Sequence, residues 1–192
     1  MSPEAMKLRP LKLEELDQAI ALCDQCVGDN LYSHAELAET LEDPDRFFYV
    51  FATEQGELAG YIYFYVTDRE RVAKEAKLDP ALLEPLTADP NARVGKIQSV
   101  GVAEEYRRQG MAIALTSLAV EKLSQLGLDI VYIFCWKIGE RVPLAKTLAH
   151  SHFRFLTIAK RIWYDHPDLY CPCCGGRCTC DAAVYYKLLK EG

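Results

Sequence analysis

The run "GKIQSVGVAEEYRRQGMAIALTSLAVEKLSQLG", residues 95–127, constrains the fold more than any other stretch of the chain. Lys96 to Val102 reads as a strand, and a polar turn follows it. Ala112, Leu115, Leu118, Ala119, Leu123 and Leu126 then recur at helical spacing, which predicts an amphipathic helix from Gln109 to a stop at Gly127. The junction between the two is Arg107-Arg108-Gln109-Gly110-Met111-Ala112. The first turn of a helix leaves backbone N–H groups unpaired and carries the positive end of the helix dipole. Gly110 and the small Ala112 let an anion approach that backbone, and the arginines add charge-assisted bonds, so the junction suits a pyrophosphate. An arginine-rich loop that happens to precede a helix is the bland alternative, and the order of elements around the junction weighs against it.

Upstream, "MKLRPLKLEELDQAIALCDQC" gives a short strand and a helix whose Leu13, Leu16, Ile20 and Cys23 share a face. Cys23 and Cys26 on that helix read as small half-buried hydrophobes rather than a metal pair. Ser33 with Glu36 makes a capping box for a second helix. "RFFYVFATEQGELAGYIYFYVTD" is an antiparallel hairpin around Gln55 and Gly56, with Tyr61, Tyr63 and Tyr65 on one face of its second arm. That tyrosine face either lines a pocket or covers a core. Residues 68–95 are charged, with Pro80, Pro85 and Pro90 at even steps, and read as an insertion and a candidate acceptor-side cover. Downstream come a strand "DIVYIFCW", a helix "PLAKTLAHSHF", and two more strands, "FLTIAKRIWY" and "AAVYYKLL".

A chain of 192 residues, 50% hydrophobic and 26% charged, builds one buried core, so a single domain over 1–192 is expected. The net charge of −6 speaks against nucleic acid or an anionic membrane as partner, because no basic excess exists to neutralise phosphates. No apolar run suggests a membrane span or a signal peptide, so a cytoplasmic setting is expected.

The junction resembles the acyl-CoA motif of the GNAT acyltransferase superfamily, Gln/Arg-x-x-Gly-x-Gly/Ala, with Arg107, Gly110 and Ala112 at its defining positions. The order of elements is similar over nearly the whole chain. The resemblance implies an α/β GNAT fold with a mixed sheet of about seven strands and about four helices, the insertion falling between strands 3 and 4. It also implies an N-acyltransferase that moves an acetyl or similar group from acetyl-CoA or a related acyl-CoA, by direct attack of an amine borne by a small molecule or a peptide. Val100, Gly101 and Val102 would run beside the pantetheine arm, and Arg107, Arg108, Gln109, Gly110, Met111 and Ala112 would hold the phosphates. Such proteins often dimerise, which leaves a homodimer open.

The proton-transfer residues depart from the family pattern. The fourth strand offers Gln98 and Ser99 in place of an acid, and Gln98 could orient a water without acting as a base. Where relatives carry Asn-x-x-Ala-x-x-x-Tyr, this chain has Val142, Ala145 and Ala149, so His150 is the nearest titratable substitute for the tyrosine. Glu104 and Glu105 read as solvated turn residues. These departures keep a non-catalytic acyl-CoA-binding regulator open.

Five of the eight cysteines fall within residues 171–180, in "YCPCCGGRCTCD". Stable disulfides are unusual in a reducing compartment, which turns attention to metal or thiol chemistry. Cys171, Cys174, Cys178 and Cys180 offer four thiolates to one tetrahedral Zn²⁺, with Pro172 and Gly175-Gly176 shaping a tight knuckle. The loop is similar to that of a bacterial GNAT-like subgroup with a C-terminal Cys-Pro-x-Cys-Gly, in which Cys173 takes the variable position, and an exchange of Cys173 for Cys174 as ligand stays open. A redox-active disulfide stays open, as does an iron–sulfur centre despite its unfamiliar spacing, and so does a metal- or redox-responsive interaction module built on the scaffold. Catalytic zinc is disfavoured because four thiolates leave no open position.

Overall fold

A computed structural model describes residues 6–190. Its main-sheet strands are β1 (Lys7–Pro10), β2 (Arg46–Ala52), β3 (Leu58–Asp68), β4 (Arg93–Val102), β5 (Ile130–Trp136), β6 (Arg154–Ala159) and β9 (Ala182–Leu188). A separate two-stranded ribbon is made by β7 (Tyr170–Cys171) and β8 (Gly176–Arg177). The seven-stranded sheet has the order β1-β2-β3-β4-β5-β9-β6, and within it β4 and β5 are the parallel pair. The helices are α1 (Leu16–Cys26), α2 (His34–Glu42), α3 (Arg69–Glu75), α4 (Met111–Gln125) and α5 (Ala145–His150), one more than the resemblance implied. No helix among the described residues is long and apolar enough to cross a membrane.

Strand β3 is central and buried on both faces. Tyr61, Tyr63 and Tyr65 lie in the core beneath α1 and α2, with Phe48 stacked on Tyr61 and Tyr63 at 5.4 and 5.8 Å between ring centroids. Ile62 and Phe64 pack on the opposite face with Leu115, Ala119 and Leu123 of α4. The tyrosine face is therefore core, not pocket wall. Cys23 is fully buried in the same cluster, while Cys26 is half-buried. The capping box of α2 is formed, with the Glu36 amide donating to Ser33 Oγ at 3.2 Å and the Ser33 amide to Glu36 Oε2 at 2.7 Å.

Helix α4 starts at Met111, two residues later than its periodicity predicts, because Gly110 occupies the cap in the left-handed region at φ 80°. The buried stripe is Met111, Leu115, Thr116, Ala119 and Leu123. Thr116 is tolerated there because its hydroxyl donates to the Ala112 carbonyl at 2.7 Å. Leu126 is 43% exposed instead of buried: the helix ends at Gln125, Gly127 turns the chain, and Leu128 returns to the core in its place. Leu123→Ala should lower stability by about 2–5 kcal/mol, read as a fall in denaturant midpoint, since its side chain is wholly enclosed.

The insertion carries more core than its polarity suggests. Val72, Ala73 and Leu83 pack with Val94, Ile130 and Tyr132, and the buried Arg69 guanidinium donates to the carbonyls of Thr87 and Ala88 at 2.7 and 2.9 Å. The cleft described below takes none of its lining from residues 68–95, so the insertion is not the acceptor-side cover that its length suggested.

Candidate active site

The site is created by a failure of pairing. Strands β4 and β5 are registered only through Gly95–Val131, Lys96–Tyr132 and Ile97–Ile133, after which β4 continues to Val102 and β5 to Trp136 without meeting. The gap opens into a cleft of about 850 Å³. Along its β4 wall run Gln98, Ser99, Val100, Gly101 and Val102, whose main chain on that side is free of a strand partner. A bulge sits at the fork: Tyr63 pairs with Ser99 and Phe64 with Ile97, leaving Gln98 as the extra residue. Bulges re-aim side chains, and here both Gln98 and Ser99 reach groups on the tyrosine face. Ser99 Oγ is 2.6 Å from the Tyr32 hydroxyl.

At the far end of β4 the strand leads through a 3-10 turn, Glu104–Tyr106, to α4. Glu104 and Glu105 are exposed, as expected of turn residues. Arg107, Arg108, Gly110, Met111 and Ala112 all line the cleft, and Gln109 is exposed outside that lining. Ala114 is the first amide to bond back into the helix, to the Gly110 carbonyl at 3.0 Å, which leaves the amides before it available to an anion. Arg107 Nε donates to the Val102 carbonyl at 3.0 Å. Arg141 and Lys146 add positive charge, and among the described residues no Asp or Glu lines the cleft.

The fork end holds a buried polar network. Lys96, 4% exposed, donates from Nζ to Glu75 Oε2 at 2.6 Å, to Gln98 Oε1 at 2.6 Å and to the Tyr65 hydroxyl at 3.1 Å. Glu75, at the end of α3, also accepts from Tyr65 at 3.0 Å and from Arg71 Nε at 2.9 Å. Burial pushes the Glu75 carboxyl up, but the charge and hydrogen bond of Lys96 outweigh it and hold the carboxyl below its ordinary value. Burial pulls the Lys96 ammonium down, with Glu75 opposing. The Lys96 ammonium also lies 4.4 Å from the Phe134 ring centroid.

The cysteine loop closes the cleft from the other side. Leu169, Tyr170, Cys171 and Cys178 line it together with Val27 and Leu31 from the α1–α2 connection. The two segments touch backbone to backbone: the Tyr170 amide donates to the Asp29 carbonyl at 3.0 Å, and a Cβ on Gly28 would stand 2.4 Å from the Tyr170 carbonyl oxygen. The Sγ atoms of Cys171, Cys174, Cys178 and Cys180 lie within 4.8 Å of one another, whereas Cys173 is exposed and outside the group. All are free thiols, and Cys174 and Cys180 are 3.5 Å apart, too far for a disulfide bond. Thiolates on a zinc ion at about 2.3 Å stand roughly 3.8 Å from each other, so the set fits a tetrahedral metal with little adjustment. A second observation agrees. Trp136 Nε1 is buried with no partner of hydrogen-bond geometry among the described residues, and it faces the Cys180 thiol, which burial pushes up and the indole pulls down. A metal-bound thiolate would give that donor the acceptor it lacks.

His150 is not brought to the cleft. The cleft face of the α5 region is Pro143, Leu144, Lys146 and Thr147, whereas His150 ends the helix in a separate groove with Ser117 and Glu121 of α4. Neither Cys26, at the end of α1, nor Cys135, on β5, suits an acyl relay: burial pushes the Cys26 thiol up to about 11 and the Cys135 thiol to about 12. Sequence reasoning missed Lys96 and Glu75. The available signal was a lysine within the otherwise apolar strand "RVGKIQSVGV".

A forked mixed sheet whose fourth strand ends on a helix N-terminus defines an acetyltransferase scaffold, and the family comparison says the same. The model of the acetyltransferase (GNAT) family matches residues 13–140, and the chain belongs to that family. Arabidopsis thaliana NAA60 in complex with acetyl-CoA superposes with a TM-score of 0.72 at 15% identity, covering 97% of this chain and 99% of that one. The same protein with a bisubstrate analogue gives 0.70 at 17% identity, with 95% and 97% covered. The ribosomal-protein-S18-alanine N-acetyltransferase from Escherichia coli gives 0.64 at 14% identity, with 97% and 96% covered. No curated protein matches the chain in sequence.

Proposed function

We propose that this protein transfers an acetyl group from acetyl-CoA to an amine by direct attack within the β4–β5 cleft. The observation that carries this reading is the fork, a strand edge left unpaired from Gln98 to Val102 that leads to the helix N-terminus at Gly110. In this reading Val100, Gly101 and Val102 offer main-chain partners to the pantetheine amides. Arg107, Arg108, Gly110, Met111 and Ala112 receive the phosphates, with Gln109 at the rim. Fold neighbours solved in complex with acetyl-CoA and with a bisubstrate analogue support acetyl-CoA as the donor.

The chemistry follows from that alignment. The amine nitrogen forms a bond to the thioester carbon, the tetrahedral oxyanion is held by a β4 amide, and the carbon–sulfur bond breaks as CoA thiolate leaves. The amine proton passes to water, since no carboxylate among the described residues faces the cleft, and the thiolate takes a proton from solvent. The high thiol pKa of Cys26 and Cys135 supports direct transfer over an acyl-cysteine intermediate.

In the same proposal Cys171, Cys174, Cys178 and Cys180 hold one zinc ion as a structural staple that fixes the loop between β6 and β9. CoA-thiol release measured with acetyl-CoA across peptides, amino acids, polyamines and aminoglycosides tests the enzyme reading. Turnover with at least one amine is expected. Tight acetyl-CoA binding with no thiol release from any amine would instead make the protein an acyl-CoA-binding regulator.

A further inference from the structure

We propose that Gln98 recognises the acceptor, that the buried pair of Lys96 and Glu75 fixes its amide as an outward donor, and that the acceptor is an α-amino carbonyl compound, an amine with a carbonyl or carboxylate oxygen on the adjacent carbon. The proposal rests on the acetyl-transfer reading and narrows it. A glutamine side chain can present either its oxygen or its NH₂, and the network decides which. Gln98 Oε1 accepts from Lys96 at 2.6 Å and lies 3.4 Å from the Tyr65 hydroxyl. A flipped amide would set its NH₂ against an ammonium group whose three donors are already matched to Glu75, Gln98 and Tyr65. The flip is therefore opposed by charge. Gln98 Nε2 has no protein partner among the described residues, and Gln98 lines the cleft at the fork, where the amine must meet the thioester. A donor held there asks for an oxygen on the substrate.

Two further features select the same class. Among the described residues the cleft contains cations and no carboxylate, so a second ammonium on a polyamine would be desolvated without a partner. Nothing there serves as an ordinary base either. An α-amino group beside an amide carbonyl, as at a peptide N-terminus, has a pKa of roughly 8, against about 10 for an alkyl amine, and so supplies far more of the neutral nucleophile near neutral pH. Lys96 is in this account a positioning residue: it touches Gln98 and not the substrate.

The test compares leucinamide with isoamylamine, which has the same side chain and lacks the carbonyl, using acetyl-CoA and kcat/KM per neutral amine. Leucinamide is expected to be better by about tenfold or more, the worth of one well-placed hydrogen bond. A Leu-initiated peptide and free leucine separate an amide carbonyl from a carboxylate as the oxygen read, and spermidine is expected to be the poorest acceptor. Gln98→Glu, which turns an acceptor oxygen outward, should lower the leucinamide-to-isoamylamine ratio about tenfold and keep the acetyl-CoA thermal shift. Lys96→Met should lower the same ratio through KM. Equal use of leucinamide and isoamylamine, preference for spermidine, or an unchanged ratio in Gln98→Glu overturns the proposal. Acetyl-CoA stabilisation with no turnover of any of these amines also overturns it and leaves the acyl-CoA site standing. Absence of that stabilisation is a failure of the acetyl-transfer reading itself.

Discussion

Gly110→Trp should abolish the thermal stabilisation that acetyl-CoA gives the wild-type protein. At a hundredfold excess over Kd, a ligand specific to the folded state contributes about 2.7 kcal/mol, which for a chain of this size is a rise of roughly 5–10 °C in Tm. Gly110 caps α4 at φ 80°, and a Cβ there would meet nothing within 4 Å. The indole therefore extends into the space in front of the unpaired amides without displacing core. The left-handed backbone costs a non-glycine residue about 1–2 kcal/mol, so both variants melt somewhat lower than wild type. Gly110→Ala carries the same backbone cost with little bulk, and it should keep most of the acetyl-CoA shift. Melting curves of the three proteins with and without acetyl-CoA separate blockage from strain. A full shift in Gly110→Trp would mean that the phosphates bind elsewhere.

The second large effect concerns metal. Protein purified without chelator should carry about one zinc per chain, and the double variant Cys171→Ser with Cys178→Ser should carry almost none. Both of these residues are buried, and both belong to the convergent sulfur group. The metal-free loop should exchange its amide hydrogens faster between β6 and β9, and Tm should fall by roughly 5 °C or more. Cys173→Ser is the matched control, because that thiol is exposed and outside the group, and it should keep its zinc. Metal-free wild type of undiminished stability would return the loop to thiol redox chemistry.

The parts of the site that sequence reveals are those made by neighbours in sequence. The junction from Arg107 to Ala112 combines a strand, a glycine and an amphipathic helix within one short stretch, and each leaves a local mark. The convergence of Cys171, Cys174, Cys178 and Cys180 is legible for the same reason. Lys96 is the opposite case: its meaning depends on Glu75, which arrives on a helix of the insertion some twenty residues earlier in the chain and meets the lysine side chain directly. Periodicity cannot say that a lysine in a strand is buried, nor can it show the bulge that sets Gln98 apart from its neighbours. His150 shows the limit of alignment by position. A six-residue helix presents only one turn to the cleft, so residues at its two ends serve different grooves. Leu126 shows how a helix that stops one residue early moves an apolar side chain from core to surface.

The position of β9 has a consequence for assembly. It follows β6 in sequence yet lies between β5 and β6, and among the described residues β6 has no other neighbour in the sheet. Until β9 is inserted, β5 offers an open edge and β6 has nothing to pair with, so both strands depend on one late, long-range event. The loop bearing the cysteines spans the two strands of that same event. A lesion that delays β9 would thus leave strands β1 to β5 paired while exposing a sticky edge at β5, so damage to the tail is expected to show first as aggregation.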